Sequence, residues 1–98
     1  MEYLSKFNLG REDINEIYNT LDDMDISELA MHEERVTAIL DYFTFIGIND
    51  LKIILLTHPN VFYEDLDLVR EAFEQYGVDK AVKSINEDII NFDLIARS

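Results

Sequence analysis

The sequence predicts an all-α fold, a compact single-domain helical bundle of about five helices, possible as short helix-turn-helix repeats. Three observations carry that expectation. Apolar residues recur at three- and four-residue spacing along most of the chain, strand-like alternation over four or more positions is scarce, and the strong punctuation falls between the periodic segments. That punctuation is Gly10, Gly47, Pro59 and Gly77, the last three framing the stretch Phe45 to Gly77 around which the rest packs. With 98 residues, 48% of them hydrophobic, the chain can bury one core and is too short for two.

Each element has its own signal. Ile14, Ile17, Tyr18 and Leu21 share a helical face, and Glu12 and Asp13 suit the positive end of a helix dipole, so a first helix is expected from about Arg11 to Asp22. In the break that follows, Asp25 or Ser27 can accept from the next helix's amides, with Glu28 three residues after Asp25. A second helix from about Ser27 to Phe45 carries a core stripe of Leu29, Val36, Leu40 and Phe43. Opposite it lies a second apolar stripe, Met31, Ala38 and Phe45 at seven-residue spacing with Tyr42 beside them. Either this helix is sandwiched between two layers of its own domain, or the second stripe is an exposed partner-binding or dimer face.

Past Gly47, Asn49 is the expected N-cap of a short helix from Asp50 to His58, with Leu51, Ile54 and Leu55 facing inward and Ile53 and Leu56 adding apolar surface. Pro59 lacks an amide hydrogen and biases His58 away from helical angles, so the helix stops there. Phe62, Leu66, Val69, Phe73 and Tyr76 then alternate at four and three residues up to Gly77, which suits a left-handed C-terminal cap. Val82, Ile85, Ile89, Phe92 and Ala96 continue the spacing in a final helix from Asp79 to about Ile95, with Asn86 as a candidate break.

Gly47-Ile48-Asn49 and Gly77-Val78-Asp79 repeat one pattern, a glycine, a β-branched residue and a capping residue before a helix, and Leu9-Gly10 is a looser copy. In Phe45-Ile46-Gly47-Ile48, Leu51, Leu55, Pro59 and the run to Tyr76-Gly77, the chain resembles the helical repeats of the mitochondrial transcription termination factor family. The resemblance implies stacked helical hairpins. It covers one full repeat, since a single segment has the proline, and the family's basic nucleic-acid-binding surface has no counterpart here; no functional residue is carried over.

Charge bounds the function. Eight Lys and Arg stand against 21 Asp and Glu, a formal net charge of -13, so nucleic-acid backbones and anionic membranes should be repelled. No basic residue lies between Arg11 and Arg35, where Glu12, Asp13, Glu16, Asp22, Asp23 and Asp25 form an anionic lobe that reads as a solvated surface or as a docking face for a basic partner. There are no cysteines, no basic-then-apolar leader and no long uninterrupted apolar run, so a cytoplasmic protein is expected.

Chemical motifs are missing or incomplete. Asp23, Asp25, Ser27 and Glu34 match four positions of a calcium loop, but Glu28 stands where that loop needs glycine. His32 and His58 have no helical i, i+4 partner for zinc, and no phosphate-cradling glycine loop or nucleophile elbow exists. No cofactor, metal or catalytic residue is assigned. The expected function is a small acidic, non-enzymatic protein-interaction or regulatory module that meets another protein, basic in character, or a second copy of itself. The alternatives are an acidic mimic docking in the groove of a nucleic-acid-binding protein and, last, an enzyme or carrier with an unrecognised site.

Overall fold

Helical spacing is realised in the computed structural model, which describes residues 2–96, with 94 and 96 described by their backbone alone. A 3-10 helix at Glu2–Phe7, a stretch to which the periodicity assigns no element, leads into α1 (Arg11–Thr20), α2 (Asp23–Met31), α3 (Glu33–Ile46) and α4 (Leu51–Thr57). A second 3-10 helix, Pro59–Tyr63, forms the corner before α5 (Leu66–Tyr76), α6 (Val78–Glu87) and α7 (Asn91–Ala96). No strand occurs among the described residues, and the Cα radius of gyration is 12.7 Å.

Caps explain where the elements start. The Gly10 amide donates to Asp13 Oδ2 at 3.0 Å, Asp22 accepts from the Asp25 amide at 2.8 Å, and Asp65 accepts from the Asp67 amide at 3.1 Å. α2 therefore begins at Asp23, capped by Asp22 rather than by Asp25 or Ser27. α4 is capped by Asp50, which accepts from the Ile53 amide at 3.3 Å, so Asn49 is not the cap. Asn49 has a different partner. Its amide donates to Asn86 Oδ1 at 3.0 Å while Asn86 Nδ2 donates to the Gly47 carbonyl at 3.0 Å, and one side-chain amide thus clamps the whole α3–α4 turn. Gly47 makes that turn at φ 99°, a conformation a β-carbon disfavours.

Two long helices of the sequence reading are each divided. At His32 the backbone leaves the helical region (φ −107°, ψ 42°), so the expected helix from Ser27 to Phe45 is α2 plus α3. Contacts with the corner account for the bend. The Tyr63 hydroxyl donates to the Asp25 carbonyl at 2.9 Å and Arg35 Nη1 donates to the Tyr63 carbonyl at 2.9 Å, which holds both sides of the bend against one residue. The final helix breaks at Asp88 rather than Asn86; Asp88 Oδ1 accepts from the Ile90 amide at 3.1 Å and Asn91 Nδ2 donates to the Ser84 carbonyl at 2.9 Å. Of its stripe, the Ala96 side chain lies outside the described residues.

Phenylalanines from four elements meet in the core. The Phe43 ring lies 5.7 Å from Phe62, 5.5 Å from Phe73 and 5.9 Å from Phe92, edge-on to the first and last. All four are fully buried, joining α3, the corner, α5 and α7 around one hub. Each such ring pair contributes about 0.5–1.5 kcal/mol beyond the area it buries. No polar residue is buried among those described, and no buried side-chain polar atom there is without a partner.

Candidate functional site

The acidic lobe occupies α1 and the start of α2, and much of its charge is already engaged. Lys52 of α4 reaches across to Asp13 at 3.2 Å and Glu16 at 3.0 Å. The Gly10 amide and, after it, Lys52 hold the Asp13 carboxyl below its ordinary value of 3.8. Asp22 caps α2, and Asp25 accepts from the Tyr63 hydroxyl, its own pKa raised first by desolvation and then by Asp22. Glu12 and Asp23 remain exposed at its surface. The calcium-like pattern lies on the helical backbone of α2 and α3 rather than in a loop, and no three His, Cys, Asp or Glu cluster in metal-holding geometry among the described residues.

The second apolar stripe is split by the same bend. Met31 ends α2 and is 74% exposed, whereas Ala38, Tyr42 and Phe45 belong to α3, so their seven-residue spacing does not define one face. Within α3 the fates diverge. Tyr42 packs edge-on to Phe73 at 6.0 Å with the Arg70 guanidinium 5.9 Å from its ring centre, and burial raises its hydroxyl's pKa. Ala38 is half-buried, and Phe45, at 88% exposure, stands in solvent.

A groove of about 940 Å³ lies between α5, α7 and the Pro59 corner, a place the sequence reading did not single out. Its floor rests on the buried core residues Val69, Phe73 and Phe92, and the apolar side chains open to solvent are its lips, Leu68 and Ile90, 57% and 70% exposed. Leu68, Glu71, Ala72 and Gln75 follow one face of α5 at i, i+3, i+4, i+7. Carboxylates of Glu64, Glu71 and Asp93 surround it, and no Lys or Arg lines it among the described residues. Gln75 Nε2 donates to Glu71 Oε1 at 3.3 Å.

One end of the groove is closed by a latch. His58 Nε2 meets Asp93 Oδ1 at 2.5 Å, its ring stacks at a tilt 4.9 Å from Phe92, and its Nδ1 lies 2.8 Å from Thr57 Oγ1. In outline this is a hydroxyl, imidazole and carboxylate in a row. The Thr57 hydroxyl, however, donates to the Ile53 carbonyl at 2.7 Å, which commits the proton a base would have to take. Its visible effect is to pin α7 to the end of α4. His32, by contrast, pairs with Glu28 at 2.9 Å beside the Tyr63 ring, at the bend between α2 and α3.

Leu68 and Ile90 had one signal in the sequence, being out of phase with the core stripes of their segments. The His58–Asp93 and Lys52 contacts span 35 or more residues and had none. Comparison with protein-family models, with curated proteins and with solved structures gives no match. Among the described residues, no helix is long and apolar enough to cross a membrane.

Proposed function

We propose that this protein is a small acidic, non-enzymatic interaction module that acts in the cytoplasm by docking on another protein. The observation that carries this reading is the set of large apolar side chains held open on a strongly anionic surface, namely Phe45, Met31, Leu68 and Ile90. Exposed large apolar side chains brought side by side, as Leu68 and Ile90 are across one groove, support a contact surface. The net charge of -13 adds long-range attraction for a basic partner and repulsion between copies of the chain itself.

The test is affinity capture from the native host's lysate after nuclease treatment, at low and high salt, with wild type beside Phe45→Asp and the pair Leu68→Asp/Ile90→Asp. A protein partner held by wild type and lost from one of these variants, with helicity unchanged by circular dichroism, supports the module. Recovery of the bait alone, or of a partner retained equally by every variant, contradicts it.

A further inference from the structure

We propose that the groove between α5 and α7 receives a basic amphipathic helix of the partner, with the helix's apolar stripe on Leu68, Ala72 and Ile90 and its Lys or Arg residues against Glu64 and Glu71. This rests on the interaction-module reading and names where and what that module binds.

Shape selects a helix. The open face of α5 presents Leu68, Glu71, Ala72 and Gln75 at the spacing that forms ridges on a helix, into which a second helix with apolar residues at i, i+3, i+4 and i+7 can lay its own. α5 has 11 residues, a length of roughly 16 Å, which accommodates about three turns of a ligand helix. A ligand that adds as a β-strand would instead need an open sheet edge, and no strand occurs among the described residues.

Charge selects a basic helix. Among the described residues three carboxylates and no Lys or Arg line the groove; Asp93 is engaged by His58, which leaves Glu64 and Glu71 to meet a cation. A second copy of this chain carries the same net charge of -13, so repulsion disfavours self-association there. The floor needs no rearrangement to accept the ligand. Phe73 and Phe92, buried beneath it, are fixed by Phe43 at 5.5 and 5.9 Å, and the His58–Asp93 contact holds α7 in place, so the walls that carry Leu68 and Ile90 are preformed.

The experiment uses the full chain, isotopically labelled, and a synthetic helix of about 16 residues with Leu on one face and Lys on the other. Its counterpart with Glu in place of each Lys is the control. Amide shift perturbations centred on Leu68, Ala72, Gln75 and Ile90, with binding at least about tenfold weaker for Leu68→Asp/Ile90→Asp and weaker again for Glu71→Lys, are expected. Both lips are exposed, so the variants should keep wild-type spectra elsewhere, and that is read from the same data. Perturbations centred on Glu12 and Asp23, equal binding of the Glu helix, concentration-dependent dimerisation through the groove, or no binding each overturn the proposal. Perturbations centred on Tyr42 and Phe45 overturn the groove while leaving the interaction module standing, and lysate capture of the bait alone removes the module itself.

Discussion

The α1–α2 lobe and the α5–α7 groove are both acidic, and they differ in what their carboxylates are doing. In the lobe, Asp13 and Glu16 are bound by Lys52, Asp22 caps a helix and Asp25 takes the Tyr63 hydroxyl. In the groove, Glu64 and Glu71 border exposed apolar lips and meet no Lys or Arg among the described residues. The lobe has the denser charge, of which Glu12 and Asp23 are left at its surface; the groove's Glu64 and Glu71 stand beside the exposed Leu68 and Ile90. A run of acidic residues in a sequence therefore measures local composition, while the capacity to bind depends on which charges the fold has already neutralised.

The largest effect that sharpens the contrast is in the groove floor. Phe92 is both floor and core, so Phe92→Ala should cost about 3–5 kcal/mol in chemical denaturation, whereas Leu68→Asp on the lip should change stability by no more than about 0.5 kcal/mol. Equal losses for the two would mean that the lip is core and the groove is not a preformed surface.

Next in size is an alkaline effect on the lobe's attachment. The Tyr3 hydroxyl donates to the Leu29 carbonyl at 2.6 Å, and burial, then Glu33 and Tyr18, push its pKa up from 10.0 to about 12. A pKa raised in the folded state favours folding fully below the unfolded value and loses that contribution as pH rises through the folded one. Stability should thus fall between about pH 10 and about pH 12, and Tyr63, shifted the same way by burial and Asp25, adds to the fall. Tyr3→Phe should flatten part of this decline in a pH series of thermal melts; an unchanged slope would show that Tyr3 is not buried as described.

The smallest effect concerns Lys52. Lys52→Met should lower the melting temperature in low salt and match wild type more closely in high salt, because the clamp is a surface ion pair. Below pH 3.8 the difference should shrink as well, since Asp13 is held low in the folded state and its contribution disappears as it is protonated. A salt-independent difference would point to packing of the lysine stem instead.

The parts of the fold legible in the sequence were those written in local periodicity. The core residues Leu29, Val36, Leu40, Phe43, Ile54, Leu55, Phe62, Val69 and Phe73 all lie on the stripes that helical spacing defines, and Pro59 and Gly77 end helices, Gly77 at φ 100° and ψ 109° rather than as the left-handed helical cap that the sequence suggests. Illegible was the bend at His32, which depends on partners distant in sequence; the break of the final helix was legible at Asn86, two residues before Asp88 where it falls. Continuity across His32 made Met31, Ala38, Tyr42 and Phe45 look like one stripe. The groove was hidden for a related reason. Its two lips come from segments 22 residues apart in the chain, and only the packing of α7 on α5, secured by His58 and Asp93, brings them together.

The most direct measurement is a side-by-side titration of the Leu/Lys helix into wild type, the groove pair Leu68→Asp/Ile90→Asp and the lobe pair Glu12→Gln/Asp23→Asn, in one buffer at near-physiological salt. Docking in the groove requires that the groove pair bind at least about tenfold more weakly while the lobe pair stays within about twofold of wild type. The reverse order would contradict it, and would make the acidic lobe the surface that recognises the partner.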